Sequence, residues 1–387
     1  MRDAWSMAHR VKNSEKIPGL YIHIPFCLSK CPYCDFYSST SISAIPDFLD
    51  GLFKEMEAYR NRFHSFDTVY IGGGTPSLLT PGQLEKILIR AREKFDLIGA
   101  AEITIETNPA DLSPSSLESI REIGINRINI GIQSLDESVL KFLGRRHSVE
   151  QALSALEAAK KAGFHNIGLD LIYGVPTQGL DSWLDTLKEA LAFSPEHISC
   201  YQLTLEEKTP LGLRHRAGEF SLPGENLQYE FFMKTSDFLG DAGYSHYEIS
   251  NFAKGQAYAS RHNQKYWDHS PFLGLGPSAH SFQDNRRWWN HRSLDRYIAA
   301  INAGSLPFEE TETLTMEQLR LEALYLGLRT RKGISLQDFK NQYHCDLFTE
   351  KGKMLDKLQE EGLISIQDGR LCSTATGFAV ADSLSLI

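Results

Sequence analysis

Three cysteines fall within eight residues, Cys27, Cys31 and Cys34, in the run CLSKCPYC, spaced Cys-x3-Cys-x2-Cys. Thiolates at this density are soft ligands that select zinc, copper(I) or an iron–sulfur cluster. Structural zinc takes four ligands in a closed site, and no fourth cysteine lies nearby. His23 could complete a Cys3His set, but in IHIPF its side chain alternates with its neighbours along a strand rather than crossing over to the cysteines. Three thiolates on a four-iron cubane leave one iron open, and an open metal position is what chemistry requires. The spacing favours the cluster and leaves zinc as the competing reading. Cys200, Cys345 and Cys372 stand alone and read as small buried hydrophobes in a reducing compartment.

A loop of this kind needs elements to hold it. Short β-branched runs recur at 20–24, 68–71, 102–106, 127–131, 166–170 and 197–201. Helical periodicity fills the gaps, as in PDFLDGLFKEMEAYRNRF and QALSALEAAKKAG, the second stopping on Gly163. Six strand–helix units in succession predict a parallel sheet curled into an incomplete barrel, a partial (β/α)6 barrel of the α/β class. Sites in such sheets lie beyond the carboxyl ends of the strands. The glycine-rich and polar residues of IGGGTPS, IETNP, IGIQS and LDLIYGVP fall there.

Beyond residue 210 aromatics, histidines and prolines thicken, through YSHYEISNFA, SRHNQKYWDHSPFLGLGPSAHSF and RRWWNHRSLDRYIAAINAG. From residue 313 a small α+β domain is predicted. Thr315 and Gln318 have capping-box spacing before MEQLRLEALYLGL, two more helices follow, and LISIQDGRLCS reads as a hairpin turning at Asp368-Gly369. Helices followed by a hairpin suggest a winged-helix-like unit. Its nine Lys and Arg against ten Asp and Glu make a poor nucleic-acid footprint, so packing or protein contact is expected. The chain thus divides into an N-terminal extension (1–18), a barrel core (19–210), an extension of the core (211–312) and the C-terminal domain (313–387).

With 387 residues, 42% hydrophobic and 23% charged, the profile is that of a soluble globular protein. A net charge of −9 argues against non-specific nucleic-acid binding. No run approaches the roughly 18–20 apolar residues of a membrane span, and the first twenty residues lack a signal-peptide core. A cytoplasmic protein is expected.

In this order, YIHIPFC, CPYCDF, GGGTPS and HNQKYW resemble the radical S-adenosylmethionine (SAM) superfamily, and within it the coproporphyrinogen dehydrogenase-like branch that includes the HemW-type haem chaperones. The resemblance runs from Tyr21 into the C-terminal domain. It implies a [4Fe-4S] cluster on Cys27, Cys31 and Cys34, with SAM on the fourth iron. It implies SAM contacts at Tyr21, Tyr33, Gly73, Gly74, Thr75, Glu106, Gln133, Arg145 and Asp170, with Arg145 rather than Arg146 matched by its distance from Gln133. Tyr33 looks like the position against the adenine, and the glycine run like the segment that binds the amino end of methionine. Tyr21 has the simpler alternative of filling the barrel floor. The chemistry implied is reductive cleavage of SAM to a 5′-deoxyadenosyl radical, with the difficult step belonging to the cofactor. No residue is assigned as a catalytic acid or base.

Two departures separate the subfamilies. The dehydrogenases carry a fourth cysteine two places after the third, where this chain has Phe36, and a longer N-terminal segment, where about twenty residues precede the first strand here. HNQKYW, from His262 to Trp267, matches the HNxxYW signature of the chaperones and suggests a haem site at His262, Tyr266 and Trp267, because imidazole ligates haem iron well. His269, His280 and His291 are neighbouring candidates. The resemblance therefore points to a haem chaperone delivering haem to an acceptor protein, with a reductant for the cluster as a further partner. A membrane-associated acceptor and a homodimer stay open. The competing readings are an oxygen-independent coproporphyrinogen III dehydrogenase, another radical SAM enzyme, and a zinc-stabilised barrel without redox chemistry.

Overall fold

The computed structural model of the chain describes residues 16–384; most of the expected N-terminal extension, residues 1–15, lies outside them. Six parallel strands succeed one another in sheet order: β1 (Gly19–Ile24), β2 (Ser65–Gly73), β3 (Asp96–Thr107), β4 (Arg127–Gln133), β5 (Ile167–Tyr173) and β6 (His197–Gln202). Each lies on an expected run. Between them run α1 (Ile45–Tyr59), α2 (Pro81–Lys94), α3 (Pro114–Glu122), α4 (Glu137–Phe142), α5 (Val149–Lys161) and α6 (Leu180–Ala192). β1 and β6 do not pair, so the barrel is open.

Strand alternation explains the two faces. One face presents Leu20, Ile22, Val69, Ile71, Ile103, Ile105, Ile128, Ile130, Leu169 and Leu171, which join Phe48, Leu52, Leu84, Leu156 and Trp183 of the helices in the main core. The other face turns Tyr21, His23, Tyr70, Thr104, Glu106, Asn129, Asp170 and Ser199 into the lumen. Side chains cap α2, α3, α4 and α5 at their N-termini. Ser148 and Gln151 form a reciprocal capping box at α5, and Gly163 takes φ 83° beyond its end, a conformation that favours glycine.

The sheet is wider than the six predicted strands. After α7 (Pro210–Arg216) and α8 (Glu225–Asp241), β7 (Ser245–Glu248) and β8 (Asn251–Ala253) extend it antiparallel beyond β6. A seven-residue helix, α9 (Arg261–Trp267), follows. Then β9 (Phe272–Leu275) pairs parallel to β1, and β10 (His280–Gln283), β11 (Arg286–Asn290) and β12 (Phe308–Thr313) complete the other edge, with α10 (Leu294–Asn302) before β12. The result is a 12-stranded sheet, β12-β11-β10-β9-β1-β2-β3-β4-β5-β6-β8-β7.

Residues 314–384 build a second hydrophobic cluster that also takes in Phe282. It is formed by α11 (Met316–Leu328), α12 (Leu336–Tyr343), α13 (Leu347–Glu360) and a three-stranded antiparallel sheet of β13 (Ile334–Ser335), β14 (Ile364–Gln367) and β15 (Arg370–Ser373). The hairpin turns where expected, with Asp368 and Gly369 at φ 51° and 71°, the two left-handed residues of a type I′ turn. Cys200 and Cys345 are buried, as read from the sequence, whereas Cys372 on β15 is only partly so.

One buried carboxylate ties α1 to the β9–β12 edge. Glu55 accepts from Gly276 N (2.9 Å), Asn290 Nδ2 (2.6 Å) and Tyr297 Oη (2.6 Å). Burial pushes it up to about 7, although all three hydrogen bonds pull the other way. A carboxyl raised by folding contributes stability fully below its unfolded value and loses it as pH rises through the folded one. Between about pH 5 and 8 Glu55→Gln should therefore lose less urea stability than the wild type. Equal losses in the two proteins would remove Glu55 as a source of the pH dependence.

Candidate functional site

The cysteines occupy the loop after β1. Cys27 N donates to Ser39 O (3.1 Å) and Ser39 N to Pro25 O (2.6 Å), closing the base of the loop, and Cys34 N turns back to Cys31 O (3.1 Å). All three thiols are partly exposed. Leu28 and Phe36, in and just after the loop, are 52% and 70% exposed. The glycine run lies against β1. Gly74 N donates to Ile24 O (2.8 Å) and Thr75 N to Phe26 O (2.7 Å), while Thr75 Oγ1 approaches Cys27 Sγ at 3.4 Å. A Cβ on Gly74 would meet Phe26 O at 2.6 Å, and one on Gly73, at φ 110°, would meet the His23 ring at 2.5 Å. Close packing on β1 thus requires these glycines.

Arg145 and Arg146 part company. Arg145 Nη1 stands 3.4 Å from Cys31 Sγ and 3.5 Å from Tyr33 Oη, and Nη2 donates to Gly131 O (2.8 Å). Arg146 pairs with Asp111 at 2.9 Å. Tyr33 packs against the small hydrophobic cluster that contains Val139, Leu143, Ile172 and Val175.

At the strand ends Glu106 accepts from Tyr70 Oη (2.8 Å) and Gly73 N (3.0 Å), and burial raises its carboxyl. Asp170 Oδ2 accepts from Asn129 Nδ2 (2.5 Å), while Oδ1 is buried with no hydrogen-bond partner among the described residues. Burial first, and then the Glu106 charge, push Asp170 up to about 7. Gln133 ends β4 at φ 69°, a strained conformation for a residue with a side chain. A polar cavity of about 40 Å3 opens between Glu106, Asp170, Arg127, Ser199 and Asn263, room for two or three waters.

Tyr70 and Asn129 were missed by sequence reasoning. The signal was available in the alternation of the strands, which puts Tyr70 of β2 and Asn129 of β4 on the face opposite the core residues Val69, Ile71, Ile128 and Ile130.

His23 is buried, with Nδ1 3.0 Å from Tyr21 Oη and Nε2 2.9 Å from Tyr37 O, and burial lowers it to about 4. Both ring nitrogens are engaged, so the Cys3His zinc set lacks its fourth ligand. Among the described residues no three His, Cys, Asp or Glu side chains converge as a single-ion site. The donor set fits an iron–sulfur cluster: three thiolates on one loop with a guanidinium beside them. The partnerless Asp170 Oδ1 and Arg145 Nε fit a polar ligand alongside, since buried polar atoms seldom stay unpaired.

The histidine motif lies elsewhere. α9 closes the opposite, amino-terminal end of the barrel. His262 is fully buried; its Nδ1 is 2.8 Å from Thr68 Oγ1 and its Nε2 2.9 Å from Tyr266 Oη. Its backbone N donates to Glu102 Oε1 (3.1 Å), and its ring lies 5.2 Å from Tyr70 and 6.4 Å from Tyr21. Lys265 Nζ fastens the helix to Asp67 at 2.7 Å. Tyr266 packs edge-on to Phe272, and Trp267 to Tyr247. Here the expected haem residues form a barrel floor, with neither His262 nitrogen free.

Residues 21–190 match the radical SAM superfamily and residues 314–380 the HemN C-terminal domain. The heme chaperone HemW of Lactococcus lactis is 32% identical over 96% of this chain and 97% of its own length. That of Escherichia coli K12 is 38% identical over 70% of this chain and 73% of its own. Among solved structures, the coproporphyrinogen III oxidase HemN of Escherichia coli superposes with a TM-score of 0.84 at 23% identity, covering 97% of this chain and 91% of that one; that likeness speaks for the fold alone.

Proposed function

Because the chain belongs to the family of the heme chaperone HemW within the radical SAM superfamily, we propose that it is a haem chaperone on a radical SAM scaffold. In this reading it binds a [4Fe-4S] cluster, SAM and haem, and delivers haem to an acceptor protein in the cytoplasm. The domain division at 19–210, 211–312 and 313–387 is part of the proposal. The observation that carries it is the end-to-end similarity to HemW. Phe36, standing where the dehydrogenases carry a cysteine, favours it over coproporphyrinogen oxidation.

Cys27, Cys31 and Cys34 would each hold one iron, and the cluster would supply an electron to SAM. Arg145 would offset the thiolates' charge at Cys31. An ammonium only donates, so what the Gly73–Thr75 segment would offer it is carbonyl oxygen; the segment's own N–H groups are taken by Glu106, Ile24 and Phe26. Asp170 Oδ1 and Glu106 would accept from the ribose hydroxyls or the ammonium, and Gln133 would lie beside them. Tyr33 would lie along the adenine, and Tyr21 beneath, held by His23. The haem ligand expected at His262, with Tyr266 and Trp267, would require α9 to leave the barrel floor.

Glu106→Ala and Asp170→Ala should each weaken SAM binding about tenfold or more, the worth of a hydrogen bond to a charged or strongly polar group, while iron content holds. Asp170, raised to about 7, is largely neutral below that pH, and a cationic ligand favours its charged form. SAM affinity measured by calorimetry should therefore rise from about pH 6 to 8 with release of protons. Unchanged affinity in both variants, or affinity independent of pH, would refute the assignment of these carboxylates.

A further inference from the structure

The described histidines differ sharply in what they leave free. His23, His147, His197, His246, His262 and His269 are all buried. His280, on β10, is exposed, and neither of its ring nitrogens makes a hydrogen bond among the described residues. Its ring stacks on Trp289, opposite it on β11, at 5.5 Å and 22°. Stacking uses the face of the imidazole, while the lone pair that binds a metal lies in the ring plane, so the stack does not block ligation.

The pair faces the lumen. Trp288 turns outward, its Nε1 donating to Tyr59 Oη of α1 at 2.9 Å, so Trp289 and its partner point the other way. Just past β11, Arg292 reaches the cysteine loop, donating to the backbone oxygen of Asp35 and to its Oδ1 at 3.1 Å. The next residue is Phe36, 70% exposed. His280, Trp289, Arg292 and Phe36 thus frame a rim between the cysteine loop and the β10–β11 hairpin.

We propose that haem docks at this rim, with His280 ligating its iron, Trp289 and Phe36 against the macrocycle, and Arg292 pairing with a propionate. The inference rests on the haem-chaperone reading and adds a site to it. Imidazole is a good haem ligand, and guanidinium suits a carboxylate. Partial desolvation of the ring, with the charges of Arg287 and Arg292 adding to it, lowers His280 below its ordinary value, which favours the neutral ring that can ligate. An open rim also suits a protein that must release its cargo, which a ligand under α9 does not.

The test is an anaerobic haem titration of the cluster-loaded chain, followed by the Soret band. Wild type should bind one haem. His280→Ala should bind roughly tenfold or more weakly with a shifted Soret band, and added imidazole should restore the wild-type spectrum. Trp289→Ala should weaken binding with the ligation spectrum kept. His215→Ala is the control, because His215 is likewise exposed and set against an aromatic ring, Phe220 at 5.5 Å; it should bind as wild type. Iron content and SAM binding should be unchanged in all three variants. Wild-type haem binding by His280→Ala would overturn the rim site and leave the chaperone reading standing. A wild type that binds no haem would overturn both.

Discussion

Replacing Cys27, Cys31 or Cys34 by serine should each cost the protein its [4Fe-4S] cluster, read as loss of the visible charge-transfer absorption together with iron and sulfide. A serine oxygen is a harder and more basic ligand than the thiolate that soft iron–sulfur chemistry selects. Each cysteine would hold a different iron, so no neighbour can substitute. The loop's own bonds, from Cys27 N to Ser39 O and from Cys34 N to Cys31 O, are made by the backbone, so the variants should fold and the loss should be of the cluster alone. Cys200→Ala, Cys345→Ala and Cys372→Ser should keep it. Full iron content in any one of the first three would break the assignment.

His262→Ala should destabilise the fold by about 2–4 kcal/mol, the cost of a buried cavity together with hydrogen-bonding groups left without partners. The groups concerned are Thr68 Oγ1 and Tyr266 Oη, both at the barrel floor. Burial holds His262 at about 3, with the Lys265 charge adding to the effect, so it sits in the fold as a neutral ring with both nitrogens engaged. Chemical denaturation reads the loss directly, and haem binding by the folded fraction should persist. A variant as stable as wild type that no longer binds haem would return the ligand to the motif and remove it from the rim.

What the sequence disclosed depended on how regular the local physics is. The six parallel strands were legible because β-branched runs recur between amphipathic helices, and alternation along them separates the core from the lumen. The C-terminal domain was legible from its capping box and its Asp368-Gly369 turn. Strands β7 to β12 were not, being three to six residues long in a stretch of glycine, proline, histidine and tryptophan with no sustained period. β7–β8 and β10–β11 are short local hairpins, but they join the sheet only through β8 on β6 and β9 on β1, distant pairings that no local signal reports. The cysteine loop stood out by its spacing, whereas Glu106, Gln133 and Asp170 came from the family resemblance; Glu106 and Gln133 lie at the ends of β3 and β4, but β5 runs on past Asp170 to Tyr173. The surroundings of His262 did not, because Thr68 and Glu102 are 194 and 160 residues away in sequence. A motif names residue types and leaves open which way they face.

The account as a whole meets its most direct test in one anaerobic incubation of the cluster-loaded protein with coproporphyrinogen III, SAM and reductant, with the porphyrins separated afterwards. A haem chaperone with Phe36 in place of the fourth cysteine should leave coproporphyrinogen unchanged while the same preparation binds haem. Conversion to protoporphyrinogen IX would contradict it and make the chain a dehydrogenase.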